Sequence, residues 1–145
     1  MTNFALIDEL RVEFGPGLNV LTGETGAGKS IIIDALGLAL GTKGETEQIR
    51  TGAEGATVEA AFDRWDEEAR RLLADSGIEC LPDEFLLVRR MLLREGKSKT
   101  YLNGRLSSAA WLRGLGDLLV EIHGQHQGVV LTQPSRQRML LDAYA

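Results

Sequence analysis

Eight consecutive residues, Gly23-Glu-Thr-Gly-Ala-Gly-Lys-Ser30, constrain this 145-residue chain more than any other stretch. They fit the spacing G-x-x-x-x-G-K-S, in which glycines let the backbone curl until successive N–H groups converge on one point. Converging donors beside a lysine suit phosphate oxygens. On that reading the backbone of Gly23, Glu24, Thr25, Gly26, Ala27 and Gly28 cradles a nucleotide. Lys29 then reaches its β- and γ-phosphates, and the Ser30 hydroxyl completes the shell of a Mg²⁺ ion. The plain alternative is a glycine-rich turn joining two core elements.

The flanks favour the phosphate reading. Residues 18–21, LNVL, form a short apolar run that predicts a buried strand. Residues 30–40, SIIIDALGLAL, are apolar nearly all round and free of proline, which predicts a buried helix with its positive dipole end at the phosphates. Strand, loop and helix follow in the order that phosphate binding requires.

Bulk properties exclude several classes. The chain has one domain's length, is 43% hydrophobic and 26% charged, and carries a net charge of −5, the wrong sign for a domain that coats itself with nucleic acid. No apolar run approaches the ~20 residues that span a bilayer, and MTNFALIDEL lacks the basic start of a secretory signal, so no membrane partner is expected. A lone cysteine, Cys80, cannot form an internal disulfide and suits the reducing cytoplasm.

Along the chain, residues 4–14 predict two short strands, or one bent strand, before the Gly15-Pro16-Gly17 turn. Residues 42–55 read as a polar loop and 56–63 as a strand. Residues 65–76 read as an amphipathic helix capped by Asp63 or Asp66, with Asp66, Glu67 and Glu68 in its first turn, where the dipole favours acids. Residues 85–94 and 99–102 predict a hairpin, Asn103-Gly104 a second turn, 107–114 a helix, 118–122 a buried strand and 136–145 another helix. Hairpins mixed with βα units predict an α/β fold with a sheet that is part parallel and part antiparallel. Because RQRMLLDAYA closes the chain as a helix without cap or breaker, the expectation is a piece of a longer protein.

A self-sufficient phosphate-loop enzyme also needs an acid at the end of a second buried strand, and Glu121, closing LLVE, is the candidate. Beyond it lies IHGQHQ, a polar loop in which a glutamine has both a carbonyl for Mg²⁺ and an amide for water or phosphate. His123 and His126 make a weak zinc pair, having no thiol or dedicated carboxylate beside them. No N-K-x-D motif for guanine and no arginine-rich lid is present. The basic run Arg89, Arg90, Arg94, Lys97, Lys99 and Arg105 is either a patch for DNA phosphates or, the preferred reading, a solvated hairpin whose charges discourage aggregation.

Taken together, NFALID, GLNVLTGETGAGKSIIIDAL, IRTG at 49–52 and EIHGQHQ at 121–127 resemble the N-terminal part of the RecN family, bacterial DNA-repair ATPases of the structural-maintenance-of-chromosomes (SMC) type. The resemblance runs along essentially the whole chain. It implies the N-terminal lobe of an ABC-type ATPase head, residues 1–145 ending at or just before a coiled coil. It also implies ATP and Mg²⁺ as ligands, with Gln125 as the Q-loop residue that meets Mg²⁺ and Arg50 as an arginine that reaches the phosphates. The remaining hydrolytic groups would come from the C-terminal half of the same head and from a second head, with DNA as a partner of the complete protein. Glu121 then precedes the Q-loop and is not the acid that activates water. The rival reading is a self-contained small kinase or NTPase that uses Glu121 as its Mg²⁺-associated acid. A pure interaction module is disfavoured, because Gly28, Lys29 and Ser30 are all intact.

Overall fold

A computed structural model describes residues 1–23, 28–78 and 84–122. The elements in order are strands β1 (Thr2–Phe4) and β2 (Ile7–Glu9), helix α1 (Lys29–Ala39), a 3₁₀ turn (Thr46–Gln48), β3 (Gly55–Phe62), α2 (Glu67–Asp75), β4 (Leu86–Leu93), β5 (Lys99–Leu102), β6 (Arg105–Ser107) and α3 (Ala109–Leu119). The strands form one six-stranded sheet in the order β2-β1-β3-β4-β5-β6.

Alternation decides which side of the sheet is covered. In β4, Leu86, Val88, Arg90 and Leu92 point inward, and across the eight-pair ladder with β3 the inward residues Ala56 and Val58 face Leu92 and Arg90. Helices cover this inner face in two blocks. Ala35, Leu38 and Ala39 of α1 pack with Phe4, Ile49, Ala56, Val58 and Leu92. Ala69 and Leu73 of α2 and Leu112 and Leu115 of α3 pack with Leu86, Val88 and Leu102. The blocks meet where the end of α1 crosses α3. There Gly41 turns with φ 94°, and a Cβ on it would lie 2.5 Å from the backbone N of Arg113. No helix among the described residues is long and apolar enough to cross a membrane.

The α/β fold with a helix behind the phosphate loop is as expected, but its sheet differs from the expected mixture. Every pairing among the described residues is antiparallel. The two runs expected to supply parallel strands are not strands. Residues 18–21 belong to no regular element and pair with no strand among the described residues, with Leu18, Val20 and Leu21 exposed by 92%, 71% and 41%. A parallel strand is stable only between neighbours and beneath helices, and neither is present on that side among the described residues. Asn19 instead closes the preceding turn: its amide accepts from Gly15 N at 3.0 Å and donates to Gly15 O at 2.7 Å. Residues 118–119 belong to α3, and residues 120–122 belong to no regular element. Helix α1 is buried toward its carboxyl end but not all round, since Ile33 and Asp34 are exposed. The helix expected at 136–145, Cys80, His123, Gln125 and His126 lie outside the described residues.

Candidate functional site

Lys29 is the first residue of α1, and Gly28 stands at its N-cap with φ 157° and ψ −26°, a backbone shape that a side chain disfavours. Nothing lies within 4 Å of where a Cβ would project from Gly28, so conformation rather than space calls for glycine. A glycine cap offers no side-chain acceptor, and the first turn of α1 contains no acid. The leading N–H groups of a helix have no partner within it, so the dipole at this amino end favours an anion. The Lys29 ammonium folds back along the loop and donates to the carbonyl of Gly23. Both ends of the eight-residue motif therefore come together.

They open on a recess of about 410 Å³ lined by Val20, Leu21, Thr22, Gly23, Gly28, Lys29 and Ile32. The apolar run that precedes the motif thus forms a wall of this recess, a role its sequence did not announce. Ser30 is exposed at the second position of α1, where its hydroxyl is available to an ion. Glu24, Thr25, Gly26 and Ala27, and the Q-loop candidate Gln125, fall outside the described residues. No group of three or more His, Cys, Asp and Glu side chains among the described residues is placed to hold a metal by itself. A Mg²⁺ ion here would need phosphate oxygens and water besides Ser30.

Arg50 does not line the recess. Its guanidinium pairs with Asp8 of β2 at 2.6 Å, on the surface. Its backbone is held more firmly: N donates to Asn3 O at 2.9 Å, and O accepts from Ala53 N at 3.0 Å and from Arg94 Nη2 at 3.3 Å. Asp8 was not singled out by its motif context; the break it makes in the apolar pattern of residues 4–14 is the one signal that marked it.

Glu121 is exposed and follows the carboxyl end of α3 rather than closing a strand. The geometry that would make it a Mg²⁺-associated acid is therefore missing, and the self-contained enzyme loses its candidate.

The basic run is mostly engaged in the fold. Arg89 pairs with Glu59 across the β3–β4 ladder at 2.5 Å. Arg94 binds the carbonyls of Ala53 and Arg50, and Arg105 donates to Gly77 O. Arg90 is 3% exposed and donates at 3.4 Å to Thr42 O, just beyond the end of α1, while its Nε and Nη1 meet no acceptor. Burial holds this guanidinium below its usual pKa.

Known proteins place this arrangement. The chain is 45% identical over 146 residues to the DNA repair protein RecN of Bacillus subtilis (strain 168), covering 99% of this chain and 25% of the relative. It is 40% identical to RecN of Vibrio cholerae over 153 residues and 41% identical to RecN of Rickettsia felis over 142 residues, each match taking in 26% of the relative. The chain thus spans about a quarter of the length of these relatives, corresponding to their N-terminal portion. A structure solved in work on ATP-driven dimerization and DNA-stimulated activation of SMC ATPases shares the fold, with a TM-score of 0.65, 20% identity, and coverage of 99% of this chain and 95% of that one. The AAA domain profile matches residues 1–106, most of the chain and all of the phosphate loop, and the chain belongs to that family.

Proposed function

We propose that this chain is the nucleotide-binding part of an SMC-like ATPase acting in the repair of DNA double-strand breaks by recombination. The observation that carries the reading is the junction of Gly23, Gly28 and Lys29 at the uncapped amino end of α1, open to the recess. In the mechanism, the loop backbone and the helix dipole hold the phosphates, and Lys29 leaves the Gly23 carbonyl to neutralise their β and γ oxygens. Ser30 and Gln125 would hold a Mg²⁺ ion, which would supply positive charge against the phosphates. Val20, Leu21 and Ile32 line one side of the recess.

No acid is among the described residues that line the recess. We assign the acid that activates water to the C-terminal half of the same head and the closing surface to a second head, so that ATP is sandwiched between two copies. The exposed apolar side chains of Leu18, Val20 and Leu21 support this division, because open apolar surface beside a binding site suits cover by further chain. DNA is the partner of the complete protein, and the cytoplasm its compartment.

Calorimetric titration with ATP–Mg²⁺ tests the reading. Lys29→Ala should lower affinity at least tenfold, the scale set by loss of a charge-assisted hydrogen bond of about 1.5–3 kcal/mol, while an unchanged circular dichroism spectrum reports an intact fold. Wild-type affinity in that variant overturns the assignment.

A further inference from the structure

We propose that Arg90 is the positive charge behind the phosphate site, acting along α1 on a bound nucleotide that it does not touch; the inference rests on the nucleotide reading above. The side chain stands on the inner face of β4 between Val88 and Leu92, with Val58 of β3 and Thr100 of β5 opposite it in the ladders. Leu92 and Val58 belong to the block built on α1, and Val88 to the block built on α2 and α3, so Arg90 lies at the seam between the two. It is buried, its hydrogen bond goes to Thr42 O, and its Nε and Nη1 meet no acceptor among the described residues. The ion pairs among the described residues do not include it. A buried charge left unpaired costs stability, and an apolar side chain of similar volume in such a position is commonly neutral or stabilising. Packing alone therefore gives no reason for an arginine here.

Its place relative to α1 gives one. Thr42 follows the carboxyl end of that helix, whose last turn carries no basic residue of its own. A cation there balances the negative end of the helix dipole. The amino end lies about 16 Å away, the length of 11 helical residues, and it is the end that carries Lys29 and meets the recess. Lys29 is the one cation among the described residues that line the recess, in a chain of net charge −5. The face of α1 that spans this distance is packed in apolar core, with Ala35, Leu38 and Ala39 against Ile49, Val58 and Leu92. Water and salt screen a charge in such surroundings much less than one on the surface. The unneutralised Arg90 charge therefore adds positive potential at the phosphates, and a carboxylate paired with it would cancel that potential.

The test is ATP–Mg²⁺ affinity in the complete protein, measured by calorimetry. Arg90→Met removes the charge and nearly keeps the volume, and affinity should fall about two- to fivefold, the scale of one charge acting on a polyanion at this distance. Arg90→Lys, which keeps the charge, should stay close to wild type. The loss in Arg90→Met should be smaller for ADP than for ATP, because it scales with the charge of the ligand. Arg89→Met takes the same charge from the exposed outer face of the same strand and should leave affinity unchanged. Where Arg90→Met is too poorly folded to titrate, Arg90→Gln carries the same expectation. Unchanged affinity without the charge overturns the proposal. So does a loss that Arg90→Lys shares, that Arg89→Met equals, or that ADP and ATP show alike. A wild-type protein that fails to bind ATP–Mg²⁺ overturns the nucleotide reading instead, and Lys29→Ala reports on that reading separately.

Discussion

Asp66 fixes where α2 begins. Its carboxylate accepts from Ala69 N at 2.8 Å, while Glu67 and Glu68 follow in the first turn. Helix caps of this type contribute about 1 kcal/mol, so Asp66→Ala should lower stability by about that amount in chemical denaturation, with nucleotide affinity unchanged. A loss below about 0.3 kcal/mol would mean that burial of Ala69 and Leu73 alone sets the start of the helix. The sequence left Asp63 and Asp66 as equal candidates, because both precede the apolar face at short range; the capping hydrogen bond separates them. Arg90 shows the opposite case. Grouped by composition it belonged to a basic patch, but the period of two in β4 places it with Leu86, Val88 and Leu92 on the inner face. Burial lowers its pKa, and a base whose folded pKa lies below its unfolded value costs stability while both states are charged; that cost lifts only as pH rises through the folded value toward the unfolded one.

At the scale of elements, the hairpins and α2 were legible because each is specified locally, by alternation, turn residues and caps. The junction of α1 with α3 was not, because its determinants lie far apart in sequence. Gly114 reads as a terminator, and so α3 was expected to stop there and a strand to begin at 118. Instead Leu112, Leu115 and Gly116 continue one buried face as far as Leu119, and Gly116 is the position where the backbone of Leu40 comes close. Gly116 is there for contact between helices rather than for a turn. Gly41 tests this, since it combines φ 94° with an approach to Arg113 that leaves no space for a Cβ. Gly41→Ala is expected to cost at least about 2 kcal/mol, from left-handed strain and displaced backbone together. A thermal shift of less than a few degrees would show that the two helices can part at little cost. The phosphate loop was legible as a motif, but its resting arrangement was not. That Lys29 turns to Gly23 O, and that Arg50 pairs with Asp8, depends on which acceptors happen to lie in reach.

For the whole molecule, charge and exposed apolar surface argue the same way. Leu18, Val20, Leu21, Phe14 and Ile33 are exposed large apolar side chains, and Val20 and Leu21 stand at the recess itself. Apolar surface left open beside a binding site marks a place that another chain or segment covers. With no acid among the described residues that line the recess, phosphoryl transfer there lacks the group that orients water, and catalysis of this kind is mostly positioning and stabilisation of charge. The net charge of −5 also opposes approach to a polyanion whose binding draws largely on counterions released at phosphate contacts. The four basic residues of the hairpin that are held within the fold do little to reverse this. We therefore expect the 145-residue chain to show little ATP hydrolysis and little DNA affinity, and both to appear in the complete protein. Steady-state hydrolysis by the two, side by side, with and without DNA at low and moderate salt, makes the comparison. Hydrolysis stimulated by DNA in the chain alone would overturn the division of the active site between two halves, since no residue placed here accounts for it.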